Sequence, residues 1–124
     1  KVVGVVSKQA ASYALSFEAG EPVTTTSADT LADGLACRVP VVEALDIVRA
    51  RAERIVQVSE DEIIAAMGHY LTDTHNLAEG AGAAPLAALL KEKQQIAGRK
   101  VGLILSGGNA DTPLIKRALT HVAS

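Results

Sequence analysis

The residues best suited to chemistry in this chain begin with Ser106, which follows the apolar run Val101-Gly102-Leu103-Ile104-Leu105 and opens the turn Ser106-Gly107-Gly108-Asn109. A serine hydroxyl both donates and accepts a hydrogen bond. The two glycines after it let backbone approach a ligand with no Cβ in the way. Strand, glycine turn and helix is the arrangement in which open α/β sheets bind ligands, at the carboxyl ends of their strands. Two further stretches have similar character: Asp33-Gly34, and Glu79-Gly80-Ala81-Gly82-Ala83-Ala84, where a carboxylate precedes a run of small residues. Each also has a plain structural reading. The first is an ordinary αβ connection, the second a helix closed by Asp-Gly, the third a surface acid before a helix. The local residues alone leave both readings open.

Other reactive side chains point to structure. Cys37 is the sole cysteine, so an internal disulfide and a multi-cysteine metal site are excluded. With no histidine near it in sequence, Cys37 reads as a small buried hydrophobe. His69 and His75 are not spaced to converge on zinc without further ligands, and no metal is expected. Ser59-Glu60-Asp61-Glu62 looks like an acidic metal cluster but reads as a capping box, Ser59 at N-cap and Glu62 at N3.

Composition narrows the class. Twelve basic residues against fourteen acidic ones offer no basic face for nucleic acid. Tyr13, Phe17 and Tyr70 are the only aromatics, too few for base stacking. No apolar run reaches membrane-spanning length and no signal-peptide pattern is present, which leads to the expectation of a cytoplasmic protein. With 124 residues the chain is read as a single partial domain, 1–124. It opens at Lys1 directly into the apolar run Val2–Val6, so a portion of a longer chain is expected.

The elements that must position these residues follow from periodicity. Val2 to Val6 reads as a strand covered on both faces. A helix is predicted over Gln9 to Ala19, stopped by Gly20 with Pro22 beyond. A short helix is predicted near Thr30, and an amphipathic helix over Val41 to Glu53. Ile55 to Val58 reads as a strand, and the helix after Ser59 runs to about Asp73, burying Ile63, Ile64, Met67 and Leu71. Pro85 suits only a first turn, so the next helix is predicted to start near Gly82 to Ala84, with Leu86, Leu89, Leu90 and Ile96 inward and Gly98 as its stop. Val101 to Leu105 is the last strand. Asp111 or Thr112 then caps a terminal helix, Leu114 to Val122. Strands alternating with helices predict an α/β fold, a parallel sheet flanked by helices.

In order and spacing, Asp33-Gly34, Glu79-Gly80-Ala81-Gly82 and Ser106-Gly107-Gly108-Asn109 resemble the C-terminal part of the threonine and serine dehydratases. These are fold-type II enzymes, tryptophan synthase β-like, that use pyridoxal 5'-phosphate; the serine racemases are relatives. The likeness runs from Val2 to about Asp111. It implies that the chain is the C-terminal half of the large cofactor domain, and that the Schiff-base lysine and phosphate loop lie upstream, so no catalytic residue is assigned here. By resemblance Ser106 hydrogen-bonds the pyridine nitrogen, Gly107, Gly108 and Asn109 shape the turn that aims it, and Gly34 and Glu79 line the ring. A serine hydroxyl can donate to an unprotonated ring nitrogen, whereas a carboxylate partner keeps it protonated.

The implied reaction is β-elimination from threonine or serine to a 2-oxo acid and ammonia. The implied partners are a small amino-acid substrate and copies of the same chain, with no nucleic acid and no membrane. Two alternatives stand beside it: a serine racemase or another hydroxy-amino-acid eliminase, and a non-catalytic small-molecule-binding α/β module. In the racemases a carboxylate at the end of the first strand serves a cation site. Val6 stands at that position here and Ser12 at the next ligand position, which departs from an all-oxygen divalent site.

Overall fold

The branched side chains of Val2, Val3, Val5 and Val6 favour extended backbone. The computed structural model, which describes residues 1–123, forms β1 there, Val2–Ser7. β1 pairs in parallel with β2, Ala52–Val58, in the register Val3↔Arg54 to Ser7↔Val58. Parallel neighbours require a crossover. Here it runs through a 3₁₀ turn (Lys8–Ala10), α1 (Ser12–Ala19), a second 3₁₀ turn (Asp33–Leu35) and α2 (Val42–Arg51). α1 packs on β2 and on α2, so the α/β class and the parallel pairing read from the sequence are both present.

The chain divides into two units, Lys1–Ser59 and the residues from Glu60 onward. The first unit differs from the sequence reading in its boundaries. Ser7 Oγ accepts the Gln9 N–H at 3.0 Å, which tightens that turn, and α1 starts only at Ser12. The helix expected near Thr30 is reduced to the 3₁₀ turn at Asp33–Leu35. Glu53, predicted at the end of a helix, lies in β2, because Val2 pairs with Ala52 and draws the backbone into the ladder.

Three serines in this unit are buried, and each hydroxyl is used. Ser12 Oγ donates to the Cys37 carbonyl at 2.8 Å. Ser16 Oγ donates to the Ser12 carbonyl at 2.6 Å and accepts the Val23 N–H at 2.8 Å, tying the irregular connection to α1. Buried hydroxyls paired in this way avoid the desolvation cost of an unmet polar group.

Gly20 ends α1 as predicted, with φ +79°, its N–H on the Ser16 carbonyl at 3.0 Å and its own carbonyl accepting Arg49 Nη1 at 2.8 Å. A side chain there adopts the left-handed region at a cost. Gly20→Ala is expected to lower stability by about 1–2 kcal/mol, read as a fall in the urea midpoint; an unchanged midpoint would contradict it.

The second unit is helical: α3 (Glu60–Asp73), α4 (Gly80–Lys91) and α5 (Thr112–Ala123), with α3 packed on both of the others. Ile63, Ile64 and Met67 are buried as expected, while Leu71 is half-buried. α4 begins at Gly80, so Pro85 falls inside the helix and the Ala81 carbonyl lacks its usual N–H partner. Its inner face is Ala83, Ala84, Ala87 and Ala88, not the leucines: Leu86 and Leu89 are half-buried and Leu90 is exposed. α3 supplies the bulk of this core and α4 the small residues, which lets the two helices approach closely.

The predicted strand Val101–Leu105 does not form. Among the described residues the sheet has two strands only, and 101–111 carries neither ladder nor helix. A branched apolar run favours extension, but a strand exists only where a neighbour accepts its backbone hydrogen bonds. Gly98 has φ +79° but closes a series of turns that begins after α4 ends at Lys91.

Candidate functional site

Asp111 fixes one side of the Ser-Gly-Gly-Asn turn. Its Oδ1 accepts the Leu114 N–H at 3.0 Å and its carbonyl the Ile115 N–H at 3.1 Å, so α5 is capped as the sequence indicated, with Pro113 in the first turn. Upstream, the Ala110 N–H bonds the Gly108 carbonyl at 2.9 Å and closes the turn. Ser106 and Asn109 are exposed, Gly107 and Gly108 half-buried. The Ser106 hydroxyl has no hydrogen-bond partner among the described residues, and its exposure leaves it available to a ligand.

The other side is the start of α4. Glu79 is the N-cap residue, extended at φ −78°, ψ 171°, yet its side chain makes no capping bond. Its N–H instead donates to the Gly107 carbonyl at 3.0 Å, while its carbonyl accepts the Ala83 N–H at 2.9 Å. The half-buried carboxylate lies beside Gly107: a Cβ built there would overlap Glu79 Oε1. On Gly108 a Cβ would come within 2.5 Å of the Leu77 carbonyl oxygen. Glu79, Gly107 and Gly108 are thus brought together, with Ser106 and Asn109 on either side of the two glycines. Gly34 belongs to the first unit, exposed within the Asp33–Leu35 turn.

Leu77 was missed by the sequence reading, because its contribution is a backbone carbonyl that carries no residue signature. It is placed by the end of α3. Asn76 N–H donates to the Tyr70 carbonyl at 2.9 Å, Thr74 Oγ1 donates to the same carbonyl at 2.8 Å, and His75 between them adopts φ +56°. His75 is therefore part of a helix terminus and exposed, with Nδ1 3.3 Å from the Leu71 carbonyl.

His69 lies one turn before the end of α3, its Nδ1 2.8 Å from Asp73 Oδ2. That hydrogen bond, helped by one from Thr72, holds the Asp73 carboxyl below its ordinary value of 3.8. A depressed carboxyl stabilises the fold above its unfolded-state value and loses that contribution as pH falls through the folded-state value. Asp73 is expected to titrate below 3.8 by NMR and to move up in His69→Ala; identical titration in both proteins would contradict the pairing. No three His, Cys, Asp or Glu side chains cluster to hold a metal ion among the described residues. Nor is any helix there long and apolar enough to cross a membrane. Lys91 Nζ lies 3.5 Å from Glu62 Oε2 on the face of α3 and α4, and Lys93 is exposed.

A turn whose serine hydroxyl is exposed, with no partner among the described residues, can offer a flat heteroaromatic cofactor a hydrogen bond at its edge. Residues 1–107 match the family of pyridoxal-phosphate dependent enzymes, and the chain belongs to that family. It is 39% identical over 115 residues to an L-threonine ammonia-lyase of Geobacter sulfurreducens, covering 93% of this chain and 29% of that protein. Among solved structures it resembles the processed form of threonine deaminase isoform 2 from Solanum lycopersicum, with TM-score 0.89 and 28% identity over all of this chain and 37% of that one. Maize serine racemase superposes with TM-score 0.84 at 27% identity, over 97% of this chain and 39% of that one. The chain spans about a third of the length of the proteins it matches.

The residues present fit the cofactor. Ser106 offers an exposed hydroxyl as donor, on a turn that Gly107 and Gly108 seat against Glu79 and Leu77.

Proposed function

We propose that this chain is a portion, 1–124, of the cofactor-binding domain of a pyridoxal 5'-phosphate-dependent threonine or serine ammonia-lyase, which forms a 2-oxo acid and ammonia by β-elimination. The observation that carries the reading is the exposed Ser106 hydroxyl, without a partner among the described residues, on a turn held by the Glu79 N–H to Gly107 carbonyl bond. When bound, the cofactor supplies an electron sink that acidifies the Cα–H of an amino acid. Ser106 would donate to the ring nitrogen in its unprotonated form. Gly107, Gly108 and Asn109 aim that hydroxyl, and Glu79 borders the ring. The lysine that takes the Cα proton lies upstream of these motifs; the Lys91 pairing with Glu62 supports leaving it out of that role. Small hydroxy amino acids are the substrates, and the protein works in the cytoplasm as a homo-oligomer.

The likeness to maize serine racemase supports racemisation as a second reading. Against it stand Val6, where a racemase cation ligand is expected, and Ser12, whose hydroxyl is committed to the Cys37 carbonyl. The test is to incubate the full-length protein and the cofactor with L-threonine, then with L-serine. Release of 2-oxobutanoate or pyruvate with ammonia supports the lyase. D-serine without 2-oxo acid would give the racemase, and saturable cofactor binding with no turnover a non-catalytic module.

A further inference from the structure

Gly82, in the first turn of α4, packs directly against the Ser106 turn. A Cβ built on it would stand 2.6 Å from the Gly107 carbonyl oxygen and 3.2 Å from the Gly107 nitrogen. The same carbonyl oxygen accepts the Glu79 N–H at 3.0 Å. The Gly107 carbonyl is therefore met twice by one helix start, through a hydrogen bond from Glu79 and through the bare Cα of Gly82. Both obstructing atoms are backbone, so a side chain at residue 82 is accommodated only by moving the turn or the helix. Ser106 is the immediate neighbour of Gly107, and Glu79 is the residue whose carboxylate lies beside it.

We propose that Gly82 is a positioning residue, whose missing side chain sets the Ser106 hydroxyl relative to the Glu79 carboxylate by locking the first turn of α4 onto Gly107. The proposal rests on the reading of Ser106 as a cofactor contact. It runs opposite to helix propensity, since glycine inside a helix is a weaker former than alanine. Propensity alone predicts that alanine at residue 82 stabilises the protein; the lock predicts that it loosens the turn.

The test compares Gly82→Ala with Gly102→Ala in the full-length protein, Gly102 having nothing within 4 Å of a built Cβ. Two quantities are read: hydrogen exchange at the Glu79 amide without cofactor, and the Kd for pyridoxal 5'-phosphate by absorbance titration. Gly82→Ala is expected to speed Glu79 exchange about tenfold, leave the C-terminal turns of α4 unchanged, and weaken the cofactor about tenfold. Gly102→Ala is expected to change neither. Equal acceleration along all of α4, or unchanged exchange at Glu79, would overturn the proposal.

Ser106→Ala, titrated alongside, separates the two levels: if it binds the cofactor as the unaltered protein does, the reading of Ser106 fails whatever Gly82 does. If Gly82→Ala does not fold, the unaltered protein decides. A lock predicts that the Glu79 and Gly107 amides slow together on adding the cofactor; independent responses would overturn it.

Discussion

Gly108→Ala is expected to lower stability by about 1–3 kcal/mol, the usual cost of forcing extra volume into a closed contact. The added methyl would stand 2.5 Å from the Leu77 carbonyl oxygen, and that oxygen cannot step aside alone. Leu77 follows the Thr74–Asn76 cap of α3 and precedes Ala78, which is buried, so the segment is anchored at both ends. Thermal unfolding of Gly108→Ala beside Gly102→Ala measures the effect. Equal Tm values for the two variants would mean that the turn is not seated on Leu77. Gly107→Ala is a milder case in stability: the obstructing atom is the far end of the flexible Glu79 side chain, which can swing away.

Ser106→Ala is the prediction with the largest functional effect. Ser106 is exposed and bonded to nothing else among the described residues, so its removal is expected to change folding stability by less than about 0.5 kcal/mol. Cofactor affinity in the full-length protein, and turnover with it, is expected to fall by about twofold to tenfold, the span of a lost neutral hydrogen bond of roughly 0.5–1.5 kcal/mol. A large loss of stability with intact turnover would reverse the assignment and make Ser106 a structural residue.

Which parts of this were legible in the sequence follows from how each signal is written. The parallel strands were visible because Val2–Val6 and Ile55–Val58 are runs of β-branched residues, and the stop at Gly20 because glycine alone tolerates φ +79° cheaply. The Asp111 cap was visible because a side-chain oxygen performs it. The inner face of α4 was not, since Gly80–Leu90 is apolar or small on every side and no period separates alanine from leucine. The strand at Val101–Leu105 was overpredicted for a related reason: side chains report a preference for extension, while the ladder depends on a neighbour.

The candidate site divides the same way. Ser106, Glu79 and the glycines at 107 and 108 could be named because three motifs in order resemble a known family, while their local types fitted plain packing as well. The contacts that join them use the Leu77 and Gly107 carbonyls, groups that every residue possesses. Sequence therefore identified the participants of the turn, and coordinates were needed to find what holds it.

The most direct test of the central claim, that the Ser106 hydroxyl pairs with the ring nitrogen, is the ¹⁵N chemical shift of pyridoxal 5'-phosphate labelled at that nitrogen and bound to the full-length protein. The account predicts a shift typical of an unprotonated pyridine that accepts a hydrogen bond, and a move toward the non-hydrogen-bonded value in Ser106→Ala. A pyridinium shift, or one indifferent to Ser106→Ala, would contradict it.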